Sequence, residues 1–282
     1  MYSVKDSPVS PEVVRKTQLI MLDILKAVHD ICEENNIRYW LSSGTLLGCI
    51  RYQGFIPWDD DLDIAMPRKD YEKFLEIAQD LLPKNLFLQT KLTDPAYPLN
   101  FAKIRRLGTK LVEIGEKENE DYFQGIFIDI FPCDNYPNEW FVKWMHWSVS
   151  FRNKRKRYKK GSLKRLLYML YANVFMAVPV FISVQTRKYF SRHWRKYFYD
   201  KEDYPYLTYG IDCTRLYPTR KDDIFPLKKS MPFENEYFYI PGNYERYLVG
   251  FYGSDYMEPP PVELRKVHAT KIIFDDNIEI ED

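Results

Sequence analysis

Glycine is scarce, with 11 residues in 282, which excludes collagen-like and Gly-rich linker architectures. The four cysteines, Cys32, Cys49, Cys133 and Cys213, form no CxxC pair and have no zinc-site spacing. They read as reduced thiols of a cytosolic protein, not as a disulfide framework. The N-terminal MYSVKDSPVSPEVVRK has no apolar core and no small-residue cleavage site, so no secretory signal is expected. There is no internal repeat and no low-complexity tract. Acidic residues are missing altogether from Trp140 to Tyr199, a stretch that holds 15 Lys and Arg. Because the whole chain carries only +1, the remainder carries −14. That asymmetry predicts one surface built for an anionic partner. Nucleic acid is the weakest candidate, since no binding motif accompanies the charge, and none is expected as a partner.

What is abundant points to a folded chain. Hydrophobic residues make up 45% and aromatics 17%, which excludes wholesale disorder. The length allows one large domain, or a core with a substantial insertion. Residues 10–36 read as a long helix, with Ser10 as cap, Pro11 at its first position and a helical repeat through 13, 17, 20, 21, 24, 28 and 31. Strand signals follow at 38–43, 62–66, 86–89, 101–107 and 126–131, with a helix over 68–82 and a loop over 50–61. Strands mixed with helices predict an α/β or α+β core, a mixed sheet flanked by helices. Residues 138–200 break the pattern and predict a helical, basic and apolar insertion. Inside it, residues 166–186 carry no charge, and 16 of those 21 residues are apolar.

The chemistry concentrates at WDDDLD (58–63). On a strand the side-chain period of two would put Asp61 and Asp63 on one face, with Leu62, Ile64 and Met66 on the other. Two carboxylates so close repel unless a cation sits between them. Mg²⁺ does so with oxygen ligands that it shares with phosphates, and Mn²⁺ is the alternative. A solvated acidic turn or a calcium loop is the bland reading. Two features weigh against it: the cluster opens an apolar strand, and Asp129 stands alone in the apolar IFIDIF, where an unpaired carboxylate is costly. Asp129 is therefore expected as a metal ligand or a base, and the residues do not separate those roles. The small turn Ser43, Gly44 and Thr45 suits close approach of a phosphate. Lys103 and Arg105 share a strand face and would meet phosphate oxygens, unless they only protect a solvated edge.

These segments resemble the LicD family. LSSGTLLGCIRYQGFIPWDDDLDIAMPRKDYEKF (41–74) carries the likeness, joined by AKIRRLGT (102–109) and GIFIDIFPCDNYP (125–137). The C-terminal FPLKKSMPFEN (225–235), PGNYERYLVGFYGSDYMEPP (241–260) and RKVH (265–268) also fit. The resemblance implies a nucleotidyltransferase-type fold in which Gly44–Thr45 precede the DxD acids Asp61 and Asp63, with Asp129 as the third acid. The spacing from Gly44 to Asp61 is long, and a loop of the family's own fills it. It further implies transfer of a phospho-alcohol, foremost phosphocholine, from a CDP-activated donor to a sugar hydroxyl of a teichoic acid or lipopolysaccharide precursor. Fukutin-related proteins, which transfer ribitol phosphate, are distant relatives.

The sequence thus predicts a catalytic core over 1–137, the basic insertion over 138–200, and a C-terminal part over 201–282 that completes the catalytic domain. Asp61, Asp63 and Asp129 are expected to hold the metal, with Ser43, Gly44, Thr45, Lys103 and Arg105 on the donor. The acceptor is expected to be a lipid-linked glycan, met at the anionic inner face of the cytoplasmic membrane by a peripheral, cytoplasmic protein. The competing readings are nucleotidyl transfer to a sugar phosphate, and a non-catalytic subunit of a membrane-anchored glycan-assembly complex.

Overall fold

The computed structural model describes residues 2–3, 7–140, 163, 201–210 and 218–274. Most of the basic insertion, including the charge-free run 166–186 and its expected helices, lies outside the described residues. The chain divides into two units, one of Met1–Pro132 with Asp222–Asp282, the other of Cys133–Lys221.

In the first unit the elements run β1 (Tyr2–Ser3), α1 (Pro11–Glu34), β2 (Trp40–Leu41), α2 (Ser43–Tyr52) and β3 (Asp63–Pro67). They continue with α3 (Arg68–Leu81), β4 (Leu86–Gln89), β5 (Ala102–Arg106), β6 (Lys110–Glu113) and β7 (Phe127–Tyr136). The last four residues of β7 belong to the second unit, where they pair antiparallel with β8 (Tyr206–Tyr209). The chain then forms a short helix α4 (Lys221–Ile224), β9 (Pro232–Phe233), β10 (Glu236–Tyr237), α5 (Tyr244–Tyr252), β11 (Lys266–Val267) and β12 (Ala269–Ile273). The architecture is the mixed α/β arrangement expected, a sheet with helices against it.

α1 forms for the reasons its sequence advertises. Ser10 has extended backbone and its hydroxyl accepts from Val13 N at 3.3 Å, while Pro11 fills the first helical position. Its buried stripe, with Val14, Met21, Ile24, Leu25 and Val28 at its centre, packs against β5 and α3. Fully burying such a side chain is worth roughly 1.5–3 kcal/mol, so this one face supplies a large share of the core. Two polar members of the stripe, Thr17 and Gln18, are also buried. Thr17 donates back to Val13 O at 2.8 Å. Gln18 donates to Ile56 O at 3.1 Å and to Asp59 O at 2.8 Å, so α1 holds the loop that carries the acidic turn.

The central sheet has the strand order β2-β3-β7-β5-β4. β5 and β7 pair antiparallel with Lys103 opposite Asp129 and Arg105 opposite Phe127. By the period of two, these four share one face, and Ala102, Ile104, Ile128 and Ile130 the other. All four of that second set have no exposed surface. A separate pair, β6 with β12, sets Glu113 opposite Ala269 and so brings the C-terminal strand beside the sheet's acids.

Four elements depart from the sequence reading. The segment after Ser42 is a helix, α2, and the loop begins only after Tyr52. Periodicity was masked there because Leu46, Leu47 and Cys49 are buried together, leaving no polar face to mark the helix. α2 also lies on the loop it leads into: a Cβ on Gly48 would stand 2.5 Å from Gly54 O and 2.9 Å from Ile56 N. β7 runs on past Pro132 to Tyr136, and β6 and β12, which give weak alternating signals, exist because they pair with each other. The MPFEN string (231–235) is structural as well. Glu234 and Asn235 form the two-residue turn of the β9–β10 hairpin with φ of 53° and 66°. The Glu234 carboxylate accepts from Arg15 at 2.7 and 3.0 Å and from Phe55 N at 3.0 Å.

Replacing Gln18 by Leu keeps the helix but leaves two carbonyls at the acidic loop without their donor. We expect a loss of about 1–3 kcal/mol in urea unfolding with unchanged helical circular dichroism. Wild-type stability for Gln18→Leu would show that the loop does not rely on this amide.

Candidate active site

The acidic turn is built by three segments of the first unit. The first is the start of α2. Ser42 N donates to Asp63 O at 3.0 Å, Ser43 turns with φ 48°, and Thr45 Oγ1 accepts from Asp63 N at 2.8 Å. A Cβ on Gly44 would lie 2.8 Å from Asp59 Oδ2. The missing side chain therefore lets the Asp59 carboxylate rest against the first turn of α2, where the helix dipole favours an anion.

The second segment is the turn itself. Asp60 is buried and accepts from His268 N at 2.9 and 3.0 Å and from Ala269 N at 2.5 Å. His268 Nδ1 lies 3.2 Å from Asp60 Oδ1 and 3.6 Å from Asp61 Oδ2. Asp59, Asp61 and His268 each offer one ligand atom, and these three atoms lie within 4.8 Å of one another. That is a half-buried acid–imidazole cluster of a size to coordinate a divalent cation. Asp61 precedes β3, so strand alternation does not set its direction; Asp63 alone opens the strand.

The third segment is β5 with β7. Asp129 N donates to Leu62 O at 2.8 Å, which fixes β7 beside the end of the acidic turn. Lys103 is buried, with Nζ 2.9 Å from Asp129 Oδ1, 3.2 Å from Glu113 Oε2 and 3.1 Å from the Phe127 ring centroid. Arg105 is equally buried. It donates through Nε to Gln89 Oε1 and through Nη1 to Gly125 O at 2.6 Å, and its guanidinium carbon lies 4.8 Å from the Phe127 ring centroid.

The electrostatics follow from this crowding. Desolvation, then the charges of Asp61, Asp60 and Asp63, push the Asp59 carboxyl well above its ordinary range. Asp61 is raised by desolvation, with His268 pulling the other way. Although both are half-buried by exposed area, protein surrounds their carboxylates closely enough to exclude much of the water. Asp129 rises to about 6 because burial outweighs the pull of Lys103. His268 rises to about 9, chiefly through its hydrogen bond with Asp60 and then the charge of Asp61. On α5, desolvation and then the charges of Asp63, Asp59 and Asp61 push the Tyr252 phenol upward. Like charges held together in a site short of water are what a metal cation relieves.

The eight residues that the sequence singled out therefore separate. Asp61, Asp63 and Asp129 fall in one electrostatic neighbourhood. Thr45 is bonded to the backbone of Asp63, Gly44 abuts Asp59, and Ser43 makes the turn into α2. Lys103 and Arg105 lie buried on the sheet face, Lys103 against Asp129 and Glu113, and Arg105 donating to Gln89 and Gly125 with its Nη2 left unpartnered. Sequence reasoning did not single out Asp59, Asp60, Glu113, Gln18 or His268. Asp59 and Asp60 stood in the quoted acidic string and His268 in RKVH, but only the β6–β12 pairing makes the histidine a neighbour of the acids.

His268 has a folded pKa above its ordinary 6.5, so its protonation stabilises the fold fully below pH 6.5, and that contribution is lost as pH rises through about 9. In metal-free buffer, His268→Asn should lower stability by on the order of 3 kcal/mol at pH 6, and the protonation-linked part of that gap should vanish near pH 10. Thermal melts across pH read this directly, and a gap that does not change with pH contradicts it.

Residues 36–181 match the family described as LicD/FKTN/FKRP, nucleotidyltransferase domain. Over 281 aligned residues the chain is 28% identical to the lipopolysaccharide cholinephosphotransferase LicD of Haemophilus influenzae, covering 90% of this chain and 95% of that protein. An uncharacterized protein of Rickettsia typhi is 32% identical over 155 residues, 54% of this chain and 43% of its own length. The human ribitol 5-phosphate transferase FKRP is 33% identical over 63 residues, 22% of this chain and 11% of its own length. The mixed sheet flanked by helices and the matched span agree: the chain has a nucleotidyltransferase-like fold and belongs to the LicD family, distantly related to FKRP.

Proposed function

We propose that the protein transfers a phospho-alcohol from a CDP-activated donor to a sugar hydroxyl of a cell-surface glycan precursor, with phosphocholine from CDP-choline the first candidate. The observation that carries this reading is the desolvated Asp59–Asp61–His268 cluster, with Asp63 and Asp129 coupled to it by charge. The extensive likeness to a lipopolysaccharide cholinephosphotransferase supports the choice of alcohol and of a lipopolysaccharide or teichoic acid acceptor. A divalent cation, Mg²⁺ or Mn²⁺, held by Asp61 together with Asp59 and His268 and faced by Asp63 and Asp129, would supply charge neutralisation for the donor's diphosphate. The donor set fits such an ion, because carboxylate oxygens suit either metal and one imidazole is acceptable to Mn²⁺.

The chain's own residues do the rest. Asp129 takes the proton of the acceptor hydroxyl; a pKa near 6 beside Lys103 suits a base at neutral pH. The acceptor oxygen bonds to the phosphorus that carries the alcohol, the bond between the two phosphates breaks, and CMP departs with its electron pair. Lys103 keeps Asp129 oriented and ionised until the proton moves. The first turn of α2, with Ser43, Gly44 and Thr45, offers backbone donors to the leaving phosphate.

Asp61→Asn and Asp63→Asn should each lower acceptor-dependent CMP release from CDP-choline by about 10²-fold or more without lowering the melting temperature. Asp129→Asn should do the same or raise the Mg²⁺ concentration required. Near-wild-type turnover of either turn variant at saturating Mg²⁺ sinks the assignment. Release of pyrophosphate from CTP with a sugar phosphate would instead mark nucleotidyl transfer.

The acceptor is reached, on this reading, at an anionic membrane surface through the 15 Lys and Arg between Trp140 and Tyr199, at the inner face of the cytoplasmic membrane. Among the described residues no helix is long and apolar enough to cross a membrane. The protein should pellet with phosphatidylglycerol vesicles at low salt and leave them in part at high salt. Remaining in the supernatant at low salt would refute the docking.

A further inference from the structure

A diphosphate entering this turn meets more carboxylates than cations. Sites of this kind pair the metal with a guanidinium or ammonium that can leave its resting contact for phosphate oxygens. The cations nearest the acids are already committed. Lys103 is taken by Asp129 and Glu113, and Arg105 donates to Gln89 and the Gly125 carbonyl while its Nη2 stays buried inside the protein without a partner. His268 faces Asp60 and Asp61, and Arg51 Nη2 donates to the carbonyls of Tyr256 and Glu258.

Arg265 differs. Its guanidinium lies 4.1 Å from the centroid of Trp58, and its Nε donates to Pro260 O at 3.1 Å. Among the described residues no carboxylate pairs with it, and its two Nη groups are uncommitted. Trp58 immediately precedes Asp59, and Arg265 stands three residues before His268. The two segments thus run side by side, with Arg265 on Trp58 at one contact and His268 on Asp60 and Asp61 at the next. This sets a planar, permanently charged fork on the indole of the residue that precedes Asp59.

The fork is also held ready. Tyr52 meets Trp58 edge-on, with centroids 6.2 Å apart and an interplanar angle of 79°, so the indole is fixed from another side. The Arg51 contacts pin the chain at 256–258, and three prolines, Pro259, Pro260 and Pro261, stiffen the approach to Arg265. A cation with few conformations to lose binds phosphate at lower entropic cost. Stacking on an aromatic face leaves the edge of a guanidinium available for bidentate contact with phosphate.

We propose that Arg265, stacked on Trp58 beside the acidic turn, is the cationic residue that receives the donor's diphosphate. This rests on the donor chemistry proposed above and gives to Arg265 the task that the sequence reading gave to Lys103 and Arg105. It implies recognition of the diphosphate whatever alcohol it carries.

The test is calorimetric titration of the full chain with inorganic pyrophosphate and with CDP, each with Mn²⁺, alongside electron paramagnetic resonance of Mn²⁺ binding alone. Arg265→Gln should weaken both ligands by about tenfold or more while leaving Mn²⁺ affinity unchanged. Arg265→Lys should fall between, because it keeps the charge and loses the fork. In turnover, the Gln variant should raise KM for CDP-choline more than it lowers kcat. Equal binding of pyrophosphate and CDP by wild type and Arg265→Gln overturns the role of Arg265 and leaves the donor reading standing. A parallel loss of Mn²⁺ affinity overturns it too, since Arg265 would then only shape the turn. If the wild type binds pyrophosphate and loses it on Arg265→Gln but never binds CDP, Arg265 stands and the cytidine donor falls. If the wild type binds neither, both fall.

Discussion

The buried carboxylate of Asp60 is the interaction on which the site depends. It collects the backbone amides of His268 and Ala269 and the imidazole of His268. A carboxylate taken out of water is costly unless every lone pair finds a donor, and here the donors come from a segment 208 residues further on. The latch therefore joins the acidic turn to the β11–β12 junction. Everything that gives the turn its chemistry follows from that closure: the imidazole next to Asp61, Glu113 next to Lys103, and Arg265 over Trp58.

Around the latch, the fold assigns its charges to two kinds of work. Asp60, Arg105, Glu234 and Arg51 are spent on backbone carbonyls, amides or fixed partners, and they hold loops that have little regular structure. Asp59, Asp61, Asp63 and Asp129 are held near one another against their repulsion, while His268 is drawn to Asp60 and Asp61. The same low-water setting that makes the first group strong makes the second group costly, and a cluster kept at a cost is characteristic of a functional site. The stabilising contacts of Gln18, Thr45 and Gly44 are what allow that cost to persist. None of the three carries charge, and each fixes a backbone or opens space for one acid.

Lys103 shows how register turns a motif into an environment. Its alternation with Arg105 puts both on one sheet face, which is correct, but the face is covered. Antiparallel pairing sets Lys103 opposite Asp129, and Glu113 arrives from β6. A cation expected to meet solvent-borne phosphate instead balances two carboxylates. At Arg265 the reverse holds, since an unremarkable residue of a C-terminal string comes to rest on the indole that starts the acidic turn.

The sequence alone determined the mixed α/β class, the long capped α1 and most strand positions, and it singled out Asp61, Asp63 and Asp129 as acids in or beside apolar strands. Those features are local: a helical or alternating repeat, a cap, or a charge in an apolar run can be read from neighbouring residues. α2 escaped because its residues are buried on several sides, and β6 and β12 because each is a strand only by virtue of the other. Asp59 was legible as an acid, but not its place against the start of α2, which depends on the space above Gly44. Only the tertiary structure decided that His268, Glu113 and Arg265 belong at the turn and that Lys103 and Arg105 are buried behind it. The physical reason is that those relations are made by strand pairing and by the Asp60 latch, between segments whose separation along the chain leaves no trace in any local pattern.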